Sequence, residues 1–287
     1  MTIKQIDQVL EEGESLKAIT QVYAEIANLK IKRIRAAVER NRVFFQEISD
    51  VYALVKNLAE KYGIKTTVKP KKTVSIVLTS NYRFYGSINA DLLEYFVSTT
   101  SKLNTDRIMV NKAAIDYFRT QPVFSDYKEI LLKDDQPDTD ELLNLVSLLK
   151  DYKQVLVFYS RMKSLLHQVP TAVDITASPS TGNLVSLNVA DLQVQQNEQG
   201  FKFIFEPDLP KVLEFFDSQI ITLLLEGTFL ESELSRTASR FISMDQAETE
   251  ANKMIKEYLT LKAYVKRNMD NNTILENFAS MMAVRKT

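Results

Sequence analysis

Apolar residues recur every three or four positions along the first sixty residues, which is the spacing of one face of an α-helix. A narrow stripe, typical of a coiled-coil seam, is formed by Ile3, Ile6, Val9, Leu16, Ile19, Val22, Ile26 and Leu29. A wider face follows, formed by Phe44, Phe45, Ile48, Val51, Tyr52, Val55 and Leu58. The pattern predicts a long N-terminal helix whose second half packs against a domain.

The C-terminal third carries the same pattern in reverse order. The apolar face is wide after Pro210 and narrows beyond Ala238, where Ala247 and Ala251 would let a second helix come close. Each tract, 2–61 and 211–287, holds one Gly and no Pro. Because Pro and Gly cost about 3 and 1 kcal/mol in a helix interior, we predict two continuous helices that pair antiparallel.

Between these tracts the pattern changes to short strands that alternate with helices. Strands are predicted at 73–79, 107–110, 154–160, 169–175 and 201–205, and helices at 88–103, 113–119 and 141–152. This order indicates a mostly parallel sheet covered on both faces. The predicted fold class is therefore α/β: a long antiparallel coiled coil of N- and C-terminal helices plus a central doubly wound (Rossmann-like) sheet domain.

The expected domain boundaries follow from the same changes of pattern. The N-terminal coiled-coil helix is assigned to 1–68, the central α/β domain to 69–206 and the C-terminal coiled-coil helix to 207–287. Residues 69–72 contain a Pro among lysines and are predicted to be a linker. The polar stretch 177–200 is predicted to be a surface loop.

Composition and motifs argue against several kinds of chemistry. The chain has no Cys, which rules out disulfides and Cys-ligated metals, and its net charge of -1 gives no general attraction to nucleic acid. Neither the P-loop nor the dinucleotide-binding Gly pattern occurs. The single His, His167, is expected to be an ordinary surface or strand residue, and the acidic stretch 134–141 a solvated turn and helix start. No catalytic residue, metal or cofactor is expected.

The ends and the apolar runs bear on location. The first residues lack the apolar core of a signal peptide, and the run 220–225 is far shorter than the ~20 residues that span a bilayer. The expected location is the cytoplasm, with peripheral attachment to the inner face of the membrane.

Two local features are typical of protein contacts. The first is a basic cluster of Lys30, Lys32, Arg33, Arg35, Arg40 and Arg42. It is read either as a solvated helix surface or as a docking site for an acidic partner, with nucleic acid a weaker third because interleaved aromatics are missing. The second is the turn 79–89, whose Tyr82, Phe84 and Tyr85 suit a protein contact. As an alternative, Ser80, Asn81 and Gly86 would line a small-ligand site there.

Three stretches resemble the gamma subunit of F-type ATP synthases, the central rotor shaft. Residues 19–33, ITQVYAEIANLKIKR, are similar to I-T-x-A-M-x-x-V-A-x-x-K-x-x-[KR]. Residues 79–89 match T-S-D-[RK]-G-L-C-G-x-x-N at its Thr, Ser, second Gly and Asn. Residues 238–247, ASRFISMDQA, are similar to A-[SA]-R-M-x-A-M-x-x-A. The family's D-[RK]-G-L-C is replaced by NYRFY, and its Gln- and Glu-bearing pattern is not kept over 268–276.

The resemblance implies a non-catalytic shaft that turns inside a ring of alpha and beta subunits and couples ATP hydrolysis or synthesis to rotation. The departures imply a motor coupled to work other than ordinary proton transport. The main rival is a non-rotary coiled-coil scaffold that displays an α/β domain, and the third possibility is a small catalyst built on the central domain.

The resemblance also assigns contact residues. We expect ring contacts from Tyr23, Lys30, Lys32, Arg33, Arg240 and Met244. A shaft tip is expected at Phe278, Met281 and Met282. A foot that meets an epsilon-like subunit and a membrane ring or another load is expected at Tyr82, Arg83, Phe84 and Tyr85.

Overall fold

A computed structural model describes residues 2–61, 71–121, 123–124, 126–176, 206 and 208–284. In chain order its elements are α1 (Ile3–Lys61), β1 (Lys71–Leu78), α2 (Ile88–Thr100), β2 (Thr105–Val110), α3 (Lys112–Thr120), β3 (Lys128–Ile130), α4 (Thr139–Leu149), β4 (Tyr152–Ser164), β5 (His167–Asp174) and α5 (Leu209–Val284). The predicted strand 201–205 and loop 177–200 lie outside the described residues. The domain boundaries stay predictions.

Both terminal helices begin at capped ends. Thr2 Oγ1 accepts a hydrogen bond from the backbone N–H of Gln5 at 3.4 Å, and Gln5 Oε1 accepts one from the backbone N–H of Thr2 at 2.9 Å. Together they form a reciprocal capping box. Asp208 caps α5 by accepting from the Lys211 amide at 3.1 Å. Pro210 is tolerated in the first turn because an amide there has no helical acceptor. The C-terminal helix therefore starts at Leu209, before the Pro rather than after it.

Within the described residues the sheet has five strands, in the order β3-β2-β1-β4-β5. Strands β1 to β4 pair in parallel, with Ile76 of β1 opposite Ile108 of β2 and Val157 of β4, and β5 is an antiparallel edge strand. The prediction of a mostly parallel sheet is confirmed. Strand β3 was missed because its three residues, KEI, are too short to show an alternating pattern. Strand β1 begins at Lys71, inside the expected linker.

Helices cover both faces of this sheet, which confirms the doubly wound prediction. On one face α2 and α3 pack on a core that includes Val77, Phe96 and Phe118. On the other face α4, α1 and α5 pack on a core whose buried members include Ile76 and Leu225. The alternation of neighbours such as Ile76 and Val77 between the two cores follows from the two-residue period of a strand.

The chain divides into two compact units, one formed by Met1–Asn28 with Arg240–Thr287 and the other by Leu29–Ser239. In the first unit α1 and α5 lie antiparallel. Lys262 forms an ion pair with Asp7 at 2.6 Å, and the Gln21 amide group donates to Glu248 at 2.7 Å. The predicted antiparallel pairing is confirmed here.

The seam of α1 in this unit differs from the prediction. The buried residues are Ile6, Gly13, Thr20 and Ala27, spaced by seven. The expected seam residues Leu16, Ile19, Val22 and Ile26 are 46–56% exposed. The prediction is confirmed for Ile6 and was wrong for these four residues, because the most apolar stripe was taken as the seam, whereas α5 packs closely against the smaller side chains. Ala251 of α5, expected to permit close approach, is buried.

We expect Gly13→Leu to destabilise this helix pair. A Cβ built at Gly13 lies 2.9 Å from Met254 Cε and 3.1 Å from Ile255 Cγ1, so a larger side chain must displace these side chains or push the helices apart. Overpacking of this kind costs about 1–3 kcal/mol. Thermal unfolding followed by circular dichroism measures the loss. The control is Glu14→Leu, at an exposed neighbouring position. Equal melting temperatures for the two variants would contradict the close approach.

In the second unit α1 and α5 are again antiparallel. The Tyr52 hydroxyl donates to Asp217 at 2.7 Å, and the Asn41 amide group donates to the Leu223 carbonyl at 3.4 Å. Phe45 and Ile48 of α1 pack against the sheet core, as the wider apolar face predicted.

Two tyrosines of β4 are hydrogen-bonded to carboxylates. The Tyr152 hydroxyl donates to Asp106 at 2.8 Å, and the Tyr159 hydroxyl donates to Glu231 of α5 at 2.9 Å. Burial, reinforced by Asp106, raises the pKa of Tyr152 to about 12. Burial, reinforced by Glu231, raises the pKa of Tyr159 well above its usual value of 10.0.

These shifts predict a loss of stability in alkaline solution. Above pH ~10 the unfolded chain releases phenolic protons that the native chain retains, so the free energy of unfolding falls as pH rises. The contribution of Tyr152 is complete below pH ~10 and is lost through pH ~12. Urea midpoints across this range should decline less steeply in Tyr152→Phe than in the parent. The exposed Tyr82→Phe serves as the control, and identical slopes for Tyr152→Phe and the parent would refute the assignment.

Candidate interaction surfaces

The turn after β1 uses its polar groups within the chain. Ser80 Oγ donates to the Tyr82 carbonyl at 3.0 Å and accepts from the Asn89 amide group at 2.8 Å. The Asn81 side chain donates to the Leu132 carbonyl at 2.9 Å and accepts from the Lys112 amide at 3.0 Å. Since these groups already hold the turn in place, the structure does not support the alternative of a small-ligand site here.

The aromatic residues of this turn divide between surface and interior. Tyr82 and Phe84 are 52% and 61% exposed, and Arg83 is also exposed. Phe84 and Gly86 adopt left-handed φ values of 67° and 60°. Tyr85 is buried, and its hydroxyl donates to Asp135 at 2.5 Å. The expected contact set is therefore corrected: Tyr85 anchors the turn from inside, and Tyr82, Arg83 and Phe84 remain on the surface.

The acidic stretch that precedes α4 also divides. Asp138 caps α4 in a capping box with Glu141, as expected for a carboxylate at a helix start. Asp135, by contrast, is fully buried, and its carboxylate accepts a hydrogen bond from the backbone N–H of Asn81 at 2.6 Å. The expectation that the whole stretch is solvated was wrong for Asp135.

The partner that explains the burial of Asp135 comes from α5. Arg236 is 1% exposed, and its Nε lies 4.0 Å from Asp135 Oδ2. A buried carboxylate is costly unless it is both paired with a counter-charge and hydrogen-bonded, and Asp135 has both kinds of partner. Sequence reasoning missed this pair because nothing in the local pattern separates Asp135 from Asp134. The polar run SELSRT at 232–237, on a helix whose neighbouring turns are apolar, was the available signal.

The basic cluster on α1 is only partly available to a partner. Lys30 forms an ion pair with Glu233, a buried residue of α5. Lys32 and Arg33 are exposed. The structure thus pairs Lys30 within the chain, and of the expected ring contacts in this unit Lys32 and Arg33 remain exposed.

The other expected ring contacts belong to the unit formed by the chain ends. Tyr23 is 38% exposed, whereas Met244 is 7% exposed and packs within the unit. Arg240 is half-buried. Met244 is therefore corrected from a surface contact to a packing residue.

The expected shaft tip is a solvent-exposed part of α5. Phe278, Met281 and Met282 are 64%, 65% and 54% exposed, and Ile274 and Leu275 beside them are equally open. An apolar helix end of this kind is typical of a contact surface. Within the described residues, no helix has both the length and the apolar character needed to cross a bilayer.

Long terminal helices pair antiparallel within each unit, and an α/β domain lies between them in sequence. A sequence model of the ATP synthase family matches residues 2–268. Curated relatives that match over most of their length are gamma chains. The chain belongs to the ATP synthase gamma chain family.

The similarity to individual members is low but extends over most of the chain. The gamma chain of Staphylococcus saprophyticus is 20% identical and is matched over 88% of this chain and 89% of its own length. The gamma chain of Desulforudis audaxviator is 23% identical, with 88% of each chain covered.

Solved structures show the same fold. The central stalk and c-ring structure of Tetrahymena thermophila mitochondrial ATP synthase contains a chain that matches with a TM-score of 0.57 at 18% identity, covering 80% of this chain and 99% of that one. The rotor of Euglena gracilis mitochondrial ATP synthase matches with a TM-score of 0.56 at 16% identity, covering 93% and 99%.

Proposed function

We propose that this chain is the central rotor shaft of an F-type or F-type-like ATPase. It would turn inside a ring of alpha and beta subunits and couple ATP hydrolysis or synthesis in that ring to rotation. The observation that carries the proposal is membership of the gamma chain family over residues 2–268, joined to the antiparallel helix pairing seen in both units.

The chain's own part in this function is mechanical rather than catalytic. The turn at the carboxyl end of β1, where an α/β sheet often binds a nucleotide, is held by hydrogen bonds within the chain. The ring subunits would therefore carry the ATP chemistry. The shaft would act on them by making different contacts in different orientations, which is an allosteric coupling.

Separate surfaces suit the proposed ring contacts. Lys32 and Arg33 present charge in one unit, and Tyr23 lies on an exposed apolar stripe in the other. Exposed charged contacts are individually weak and can be remade at each step. At the end of α5, Met281 and Met282 present flexible side chains that can repack against a changing partner surface.

The foot is proposed to lie at Tyr82, Arg83 and Phe84, with an epsilon-like subunit and a membrane ring or another load as its partners. Because residues 81–85 depart from the family pattern, the coupled work is proposed to differ from ordinary proton transport. The chain would then work in the cytoplasm, held at the inner face of the membrane by these partners.

Purification of the tagged chain from its own cells tests the proposal. We expect alpha and beta subunits to co-purify in equal amounts and in excess over this chain, and the complex to hydrolyse ATP. Purification of the chain alone, or with proteins that bind no nucleotide, would support the non-rotary scaffold instead. ATP hydrolysis by the isolated chain would overturn its non-catalytic role.

Rotation can be observed directly because the chain has no Cys. Leu166→Cys places a single thiol at the turn between β4 and β5, at a side chain that is 79% exposed. With the ring fixed to a surface, a bead on this thiol should rotate when ATP is added. A complex that hydrolyses ATP with a stationary bead would contradict the rotor.

A further inference from the structure

We propose that Asp135 and Arg236, with Tyr85 and Ser239, form a torsional clamp that fixes the α/β domain to helix α5 during rotation. The proposal rests on the rotor function proposed above and deepens it. A rotor must carry torque from its helices to its foot, and the clamp assigns that task to a particular set of side chains.

The first part of the clamp consists of the polar contacts between α5 and the loop after β3. Arg236 Nη2 donates to the Asp135 carbonyl at 3.4 Å, and Arg236 Nε lies 4.0 Å from the Asp135 carboxylate. Nη1 donates to Ser232 Oγ at 2.7 Å, one turn earlier on α5. The guanidinium group is thus held both by its own helix and by the loop.

The second part ties the turn after β1 to the same place. Asp135 accepts from the Tyr85 hydroxyl at 2.5 Å and from the Asn81 amide at 2.6 Å. Ser239 Oγ of α5 donates to the Tyr85 carbonyl at 2.7 Å. Two loops, from the carboxyl ends of β1 and β3, therefore converge on two consecutive turns of α5.

The character of these contacts favours a mechanical role. The preceding turns of α5 pack on the sheet through apolar residues such as Leu225 and Phe229. Apolar packing is non-directional, so it resists separation more than it resists a small rotation of the helix about its axis. Hydrogen bonds and ion pairs depend on angle as well as distance. The polar cluster would therefore set the angle between helix and domain.

Stability alone does not account for the choice of residues. The segment 232–237 buries Ser232, Glu233, Ser235, Arg236 and Thr237, although a buried helix face is ordinarily apolar. A buried ion pair is often no more stabilising than an apolar pair of similar volume. What the ion pair adds to the interface is a fixed register between helix and domain.

The test measures torsional stiffness in the assembled complex. The ring is fixed to a surface, and a bead is attached either to Leu166→Cys on the α/β domain or to Glu214→Cys, an exposed position on α5. The angular variance of the bead is recorded while the complex waits for ATP. A softer connection between helix and domain raises the variance of the domain bead only.

The principal variant is Asp135→Asn combined with Arg236→Met. Asn retains an acceptor for the backbone N–H of Asn81 and can donate to the Tyr85 hydroxyl, so the loops keep their hydrogen bonds to each other. The variant removes the contacts of Arg236 with the loop and leaves the hydrogen bond from Ser239 to the Tyr85 carbonyl in place. We expect a melting temperature close to that of the parent, a variance about twofold larger for the domain bead, and no change for the helix bead. Equal variances in parent and variant would overturn the clamp.

A milder variant tests the clamp even if the double variant does not fold. Among the contacts described, Ser239→Ala removes one hydrogen bond, to the Tyr85 carbonyl, and it should raise the variance of the domain bead to a smaller extent. Its matched control is Thr222→Ala, because Thr222 Oγ1 bonds only to the Ser218 carbonyl of its own helix among the contacts described. An equal effect of the two changes would overturn the clamp. A parent complex that does not rotate would overturn the rotor function itself.

Discussion

Arg236→Ala is expected to lower the free energy of unfolding by about 3–5 kcal/mol. The change leaves the carboxylate of Asp135 buried without its counter-charge. The desolvation penalty of that charge is then no longer offset, and it is larger than the value of one hydrogen bond. Urea unfolding followed by circular dichroism measures the effect.

The control for this prediction is Arg35→Ala, which removes an exposed arginine from α1 and should shift stability by no more than about 0.5 kcal/mol. If the two variants unfold at the same urea concentration, the buried pair does not have the energetic role assigned to it. The double variant Asp135→Asn with Arg236→Met is nevertheless expected to be nearly as stable as the parent. It removes both charges, whereas Arg236→Ala leaves the Asp135 carboxylate buried without a counter-charge.

Reversal of the two exposed charges, Lys32→Glu with Arg33→Glu, should lower the ATP hydrolysis rate of the assembled complex roughly threefold or more, since like charges brought together across an interface cost several kcal/mol. This repulsion is expected because the two residues are proposed to contact acidic surfaces of the ring subunits. Lys30 is left unchanged, because reversing it would bring a carboxylate against Glu233 and test folding instead.

The matched control reverses two exposed lysines of the α/β domain, Lys102→Glu with Lys150→Glu, and should leave the rate unchanged. Assembly is checked by gel filtration, and stability by thermal unfolding. Full ATP hydrolysis activity in the Lys32 and Arg33 variant, with intact assembly, would show that this part of α1 does not contact the ring.

The secondary structure was largely predictable from the chain. Alternation around Ile76 and Val77 and the three- to four-residue spacing in the end tracts are local consequences of backbone geometry, and the structure confirms the elements they predict. The order of strands and helices also indicated a mostly parallel, doubly wound sheet, because parallel neighbours require a crossover that a helix supplies.

The exposed contact residues were predictable only in part. Tyr82, Phe84, Phe278 and Met281 are on the surface as a contact role requires, and their partners stay predictions. Tyr85 and Met244 lie inside. Local sequence does not record how far a side chain is covered by residues distant in the chain.

By itself the sequence determined that two long helices enclose an α/β domain in chain order, because helix and strand periods and the placement of Gly and Pro are written into neighbouring residues. Only the tertiary structure decided that Gly13 rather than Leu16 faces the partner helix, and that Asp135 is buried against Arg236 while Asp134 is exposed. Such choices depend on the close approach of segments far apart in sequence, where small side chains and paired charges fit and larger or unpaired ones do not.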